Sequence, residues 1–352
     1  AVVSSEMPSS YEKEALKAQA ICARSYAVNR IRDHAYEKYG ADLDDTTACQ
    51  VYNNIFETPE TIEAVQETAG EVLTCDGDMV QAYFFSTSCG TTCRNDDVWG
   101  GDKLSYLNDQ LETYAETEAK LDSTPVMLDH GYFQIGDGRL STEEVFRDFI
   151  DKKIYVNSIE KEEPMYRWSI DYSKEQMQSA VSQGLPQVAA GCLTFYDKEG
   201  NESDAITKFA GQEAEEILGT IENIIITERG NSGIAQSMVI YGKQGAVKVD
   251  GQMAIRQVLY PFEVEIIKQD ESRVSGWSLL PSAYFYIEKD KEGAYHLYGG
   301  GFGHGVGMSQ NGANDLAKKG YKYEKILLHY FYGAEIKKIN ETGFVTDEKI
   351  QE

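Results

Sequence analysis

The sequence predicts an α+β fold, with a long Ala-rich central helix packed with mixed β-sheets. Three observations carry this. Residues 11–37 run without Gly or Pro, and their small and apolar side chains recur every three or four positions. Strand-like runs bounded by Gly, Asn and Asp fill much of the stretch from about 165 to 300. At 352 residues and 41% hydrophobic, the chain is able to bury a sizeable core, which excludes a disordered polymer.

The first helix is expected over 9–37. Ser9 with Glu12 three positions on reads as a capping box. Ala15, Ala18, Cys22, Ser25 and Asn29 share one face, and Leu16, Ala20, Ala23 and Ala27 another, so close packing is open to both. Gly40 marks its end. A second helix, 59–69, starts at Pro59-Glu60 and stops at Gly70. GEVLTCDG and DMVQAYFFSTS read as two strands about an Asp76-Gly77 turn. Residues 99–125 are irregular and acidic. Helices are expected at 141–152 and 173–183, with strands in MYRWSIDY, AITKF, IENIIITERG, SGIAQSMVIYG and GAVKVDG. A short helix, 251–260, precedes Pro261. Two more strands, SAYFYIE and AYHLYGG, lead to a Gly-rich turn and helices 309–319 and 322–332. The expected division is a lobe over 1–125, a second over 126–335 and a polar tail, 336–352, although one continuous domain fits as well.

Thirty-three Lys and Arg face 58 Asp and Glu, a formal charge of -25. That balance argues against nucleic acid and against an anionic membrane surface as partners. No apolar run approaches the roughly 20 residues a membrane span needs. The start at Ala1-Val2-Val3 lacks an initiator Met and a signal peptide and reads as a trimmed or mature terminus, with any export signal or anchor expected upstream. Six cysteines, Cys22, Cys49, Cys75, Cys89, Cys93 and Cys192, are too few to fix the compartment.

Three segments attract chemistry. From Gly299 to Gly307, six of nine residues are glycine around His304, and Ser309-Gln310 follow. One reading is a ligand-facing loop with His304 and Gln310 as polar tips. The other is a tight structural turn with a satisfied His. Ser86-Thr87-Ser88 closes a strand and runs on through Cys89 and Cys93 to Trp99-Gly100-Gly101. This is either a binding loop or a plain Ser/Thr-rich turn, and the plain turn carries more weight. Glu6 precedes a helix, where a carboxylate normally serves the helix dipole. The dipole lowers its pKa, and only apolar burial against Val2, Val3 and Met7 raises it again. No GxSxG or HExxH sequence occurs. A Cys–His hydrolase pairing Cys22 or Cys89 with His304 is conceivable, although mid-helix Cys22 reads as core.

Taken together, SSEMPSSYEKEALKAQAICARSYA (4–27), FFSTSCGTTCRNDDVWGG (84–101) and GGGFGHGVGMSQNGANDLAKKGYKYEKILLHYFYGAE (299–335) resemble the stage II sporulation protein D family, lytic transglycosylases of spore-forming bacteria. The resemblance implies a cleft lined by these motifs. It also implies cleavage between N-acetylmuramic acid and N-acetylglucosamine in peptidoglycan strands that a partner amidase has stripped of peptides. Glu6 matches the family's catalytic acid, and Arg24 and Tyr106 match residues that also matter. Asn108 stands where a Lys is usual, and Phe85 where a His commonly precedes the Ser-Thr-Ser run. Some relatives bind zinc near the segment matching 44–52. Only Cys49 of such a set is present, so no metal or other cofactor is expected and Cys49 is expected in a disulfide with Cys89 or Cys93. Ser86, Thr87, Ser88, His304, Ser309 and Gln310 are expected to bond sugar hydroxyl and acetamido groups, and Trp99 and Tyr106 to stack on pyranose faces. The family context implies an extracytoplasmic, anchored protein of the sporulation machinery. A noncatalytic wall-binding enhancer of an amidase is the alternative.

Ordinary glycoside hydrolysis uses two carboxylates. A lytic transglycosylase needs one, because the muramic acid C6 hydroxyl replaces water as the nucleophile. Arg24 lies about 21 Å along a helix starting near Ser10. It therefore meets Glu6 only if the leading segment folds back along that helix. Otherwise it contacts a more distant sugar or supports the fold.

Overall fold

The computed structural model describes residues 1–46, 49–112, 126–128, 131–133, 139–151, 158–203 and 214–343. Helices and several sheets together make it an α+β protein. The described residues form two compact units, each discontinuous in sequence. One comprises Ala1–Ser86, Leu104–Asn108 and the segment from Val306 onward; the other comprises Thr87–Lys103 and Asp109–Gly305. Where the sequence suggests a lobe boundary near 125, the chain instead leaves the first unit at 86 and returns to it for good at 306.

The first unit holds α1 (Val2–Glu6), α2 (Lys13–Arg32) and α3 (Pro59–Glu67). In α2 every residue from Ala18 to Ala23 is buried, so this helix is enclosed on several faces rather than along one stripe. It packs against α3, the strand Glu71–Cys75 and the helices Gln310–Lys318 and Tyr323–Tyr330. Its Ala side chains let these neighbours approach.

The helix is shorter than 9–37 at both ends. The Ser9–Glu12 capping box does not form. The Glu12 amide instead donates to Asn314 Oδ1 at 2.8 Å and the Tyr11 hydroxyl bonds Asn311, so distant partners hold this stretch out of helix. At the far end His34 takes φ 47° and the chain closes a Tyr36–Ala41 bridge, with Gly40 left-handed.

Glu71–Cys75 lies between Asp78–Met79 and Glu335–Lys338, antiparallel to both. Asp76 and Gly77, at φ 51° and 90°, make the turn. Phe84–Phe85 pairs in parallel with Met308–Ser309, the one parallel pair among the described strands. The larger sheets are therefore antiparallel rather than mixed. Gly307 (φ 77°) is required there, since a Cβ would come within 2.1 Å of the Tyr83 carbonyl oxygen.

The second unit contains two five-stranded antiparallel sheets. One runs Glu202–Ser203, Leu193–Tyr196, Ala246–Asp250, Ala235–Gly242, Ile221–Arg229. The other runs Arg273–Val274, Ile266–Lys268, Trp168–Tyr172, Tyr295–Gly299, Phe285–Lys289. Buried Phe146, Phe149, Tyr166, Phe195 and Phe285 fill its core. The AITKF run lies outside the described residues. Among those described, no helix is long and apolar enough to cross a membrane.

All six cysteines are free, which corrects the expected Cys49 disulfide. Cys89 and Cys93 are buried in the second unit, and the Cys49 thiol, in the first, donates to the Tyr36 hydroxyl at 3.3 Å.

Candidate active site

Glu6 is the last residue of α1, so it sits at a helix C-terminus rather than ahead of a helix start. One carboxylate oxygen accepts the Val51 N–H at 2.6 Å and the other accepts Gln310 Nε2–H at 3.2 Å. Burial raises its pKa, and these two neutral donors only partly offset the rise. Met7 and Val3 beside it are buried, which is the apolar condition the sequence required.

Three amides at the start of the helix Gln310–Lys318 hold the leading segment: Gln310 bonds Glu6, Asn311 bonds Tyr11 and Asn314 bonds the Glu12 amide. The register of this helix is in turn set by the parallel pair just before it. The segment after the Gly-rich loop thus positions the acid, and Gln310 is a partner of Glu6 rather than a free sugar contact.

Arg24 lies apart from that carboxylate in its contacts. Its Nη1 donates to the Glu71 carbonyl at 2.6 Å, tying α2 to the start of a strand, while burial lowers its pKa.

Several other expected sugar contacts point inward. Tyr106 is buried, its hydroxyl accepts the Gln81 N–H at 2.9 Å, and burial pushes its pKa up to about 12, so its ring offers no face for stacking. Ser309 is fully buried as the N-cap of Gln310–Lys318; its hydroxyl accepts from Gly312 N–H and donates to the Ser86 carbonyl, both at 3.3 Å. The Ser86 carbonyl also accepts the Asn311 N–H at 3.0 Å.

In the second unit, buried Thr87 exchanges both backbone hydrogen bonds with Phe302, at 3.0 and 2.7 Å. Ser88 is buried too, and both its N–H and its hydroxyl donate to the enclosed carboxylate of Glu160, a residue at φ 66°. Glu160 was invisible to sequence reasoning, since an isolated Glu 72 positions away carries no signal. Trp99 does stay open, 49% exposed, with its ring 5.1 Å from that of His304. Trp277 packs on Phe302 at 4.8 Å and was likewise missed, although its spacing from any motif gave nothing to find. The Val51 amide was missed because backbone donors leave no trace in residue identity.

The buried thiols of Cys22, Cys89 and Cys93 fit no nucleophile. Burial pushes Cys89 up to about 12 and raises Cys22 and Cys93 further. Among the described residues Cys49 joins no group of three or more potential metal ligands. The grouping that does form is Cys93, Asp97 and Asp109, with donor atoms within 4.8 Å of one another. The Arg94 guanidinium already lies 3.3 Å from Asp97 and 3.9 Å from Asp109 and supplies their counter-charge. Burial and the Asp97 charge lift Asp109 to about 6.

Residues 1–75 match the family model of the stage II sporulation protein, and residues 197–307 match that of a domain of unknown function. The chain is 34% identical over 137 residues to stage II sporulation protein D of Bacillus subtilis (strain 168), covering 35% of this chain and 40% of that protein. It is 25% identical over 349 residues to the protein of the same name from Bacillus amyloliquefaciens, covering 95% and 72%. It is 24% identical over 339 residues to the amidase enhancer of Bacillus subtilis (strain 168), covering 95% and 39%. The matched stretches thus cover about two fifths of the length of each of the two Bacillus subtilis relatives. The first 75 residues and the named relatives thus agree in likening the chain to the stage II sporulation protein D family.

Proposed function

We propose that the chain is a lytic transglycosylase that cleaves the bond between N-acetylmuramic acid and N-acetylglucosamine in peptide-stripped peptidoglycan strands, with Glu6 as general acid and base. The observation that carries this is the Glu6 carboxyl: partly buried, raised in pKa, and held by two neutral donors. Such a group keeps its proton at higher pH than an ordinary Glu and is aimed by its bonds rather than paired with a cation.

The chemistry needs no second carboxylate. Glu6 protonates the bridging oxygen as the bond from it to muramic acid C1 breaks. The C6 hydroxyl of the same sugar bonds to C1, and its proton passes to the Glu6 carboxylate. The products are a 1,6-anhydro end and a free 4-hydroxyl, with no water consumed. Val51 N–H and Gln310 Nε2–H stabilise the carboxylate between the two proton transfers. The longer Gln310 contact leaves Oε2 as the oxygen better able to carry the proton. Exposed Trp99 beside His304 is the proposed stacking surface for a sugar. The reading places the protein on the wall side of a membrane, anchored through a preceding segment, and gives it an amidase as a partner that supplies stripped strands in sporulation and engulfment. It requires neither metal nor cofactor.

A second reading, a noncatalytic enhancer of a wall amidase, draws on the relative of that name, which aligns with 95% of this chain. Mass spectrometry of products from peptide-stripped strands separates the two. Anhydro-muramic ends made by the wild type and lost in Glu6→Gln support the transglycosylase. Strand binding without cleavage supports the enhancer.

A further inference from the structure

The second unit carries a cavity of about 560 Å³ on the open face of the sheet that ends at Ile221–Arg229. Residue register builds its floor. Tyr196 pairs with Ala246, and Ala246 pairs with Tyr241, so two tyrosines share a face across one small residue. Two strand spacings separate them by about 10 Å. Tyr241 is 42% exposed. Side chains placed in this way suit the apolar face of a pyranose ring.

Two lysines line the same cavity. Lys198 belongs to a turn over 197–201 in which Asp197 accepts the Asn201 N–H at 2.8 Å and the Gly200 N–H meets the Asp197 carbonyl at 3.1 Å. Lys243 lies in the hairpin turn over 242–245, where its N–H donates to the Thr220 carbonyl at 3.0 Å and the Gln244 N–H to the Leu218 carbonyl at 2.8 Å. Both turns are anchored by their backbones, which fixes where each lysine side chain starts. Lys248 on the same sheet pairs with Asp250 at 3.0 Å and with Glu228. Among the described residues Lys198 and Lys243 form no ion pair. Lys198 and Lys243 thus stand beside a tyrosine pair in a chain of net charge -25, with Asp197 and Glu222 in the same lining. The Asp197 carboxylate is taken by Asn201, which lowers its pKa, and exposed Glu222 remains as an acceptor for hydroxyl groups.

We propose that this cavity is a second saccharide site, outside the Glu6 machinery, for a glycan carrying carboxylate substituents. The sugar ring lies on Tyr196 and Tyr241, and a free lactyl carboxylate of muramic acid meets Lys198 and Lys243. The inference rests on the glycan-strand reading above and adds to it a holding site that, Tyr196 apart, lies within residues matched to a domain of unknown function. Amidated muramic acid, still bearing its peptide, lacks that carboxylate, so the site favours stripped strands.

Isothermal titration of Glu6→Gln chain with soluble peptide-stripped glycan fragments tests this without turnover. Adding Lys198→Ala and Lys243→Ala weakens binding about tenfold and removes most of its salt dependence, and the double Lys→Arg change restores it. Adding Tyr241→Ala instead weakens it about fivefold. Neutral chitotetraose binds more weakly and is indifferent to the lysines. Glycan affinity unchanged in all these variants overturns the proposal. So does tight lysine-dependent binding of a polyol-phosphate polymer in place of the glycan. Release of anhydro ends from the same fragments by the wild type is read separately. Its absence, with lysine-dependent binding intact, overturns the catalytic reading and leaves the site standing.

Discussion

Glu6 and Asp109 are carboxyl groups in different units, and burial raises both, but their surroundings are unlike. Glu6 is bonded by a backbone amide and a side-chain amide, with no charged neighbour among its causes of shift. Asp109 stands in a charged group, raised further by Asp97 and lowered by Arg94. A lifted carboxyl is therefore not in itself a catalytic one. What separates the two is whether neutral donors aim the group or a network of charges fixes it.

The sharpest way to break the comparison is to neutralise each acid in turn. Glu6→Gln lowers kcat for anhydro-end formation by about 10²–10⁴-fold, as expected for loss of a general acid, whereas Asp109→Asn changes it by about twofold or less. Equal losses would remove the distinction. The second effect is on stability. The folded Asp109 keeps its proton up to about pH 6, whereas an unfolded Asp does so only to about 3.9. The folded chain thus binds more protons in between, and wild-type stability falls as pH rises from about 4 to 6, by about 3 kcal/mol before level behaviour above. Asp109→Asn flattens that slope in chemical denaturation read across the same pH range.

A smaller loss is expected at Glu160, the enclosed carboxylate that Ser88 bonds. Ser88→Ala withdraws one of its donors and destabilises the chain by about 1–3 kcal/mol in urea unfolding, with KM for glycan unaltered. Gln310→Ala gives the smallest change, about tenfold in kcat/KM or roughly 1.4 kcal/mol. Because this amide lowers the Glu6 pKa, its removal raises it, and the basic limb of the pH–rate profile moves to higher pH. A purely structural Gln310 would leave that limb in place.

Local chemistry made much of the fold legible. The helix expected at 173–183 is Lys174–Gly184, opened by the Ser173–Gln176 capping box, and the Asp76-Gly77 turn joins strands at the expected place. The helices expected at 309–319 and 322–332 are Gln310–Lys318 and Tyr323–Tyr330. Signals failed where a distant partner outbid a local one, as at Glu12, whose amide is taken by a residue about 300 positions away. Short strands such as Leu193–Tyr196 and Ile266–Lys268 were missed because they hold too few residues to show a period. At the candidate site, Glu6 was readable as a candidate and its need for apolar burial was readable too. The inward turn of Ser88, Ser309 and Tyr106 was not, since a hydroxyl in sequence does not say which way it faces.

The most direct test of the central claim is a site-specific ¹³C titration of the Glu6 carboxyl in the intact chain, assigned by its loss in Glu6→Gln. The account predicts a midpoint above the value of about 4.3 for an ordinary Glu. A midpoint at or below that value would mean that Glu6 is ionised when an acid is needed, and would contradict it.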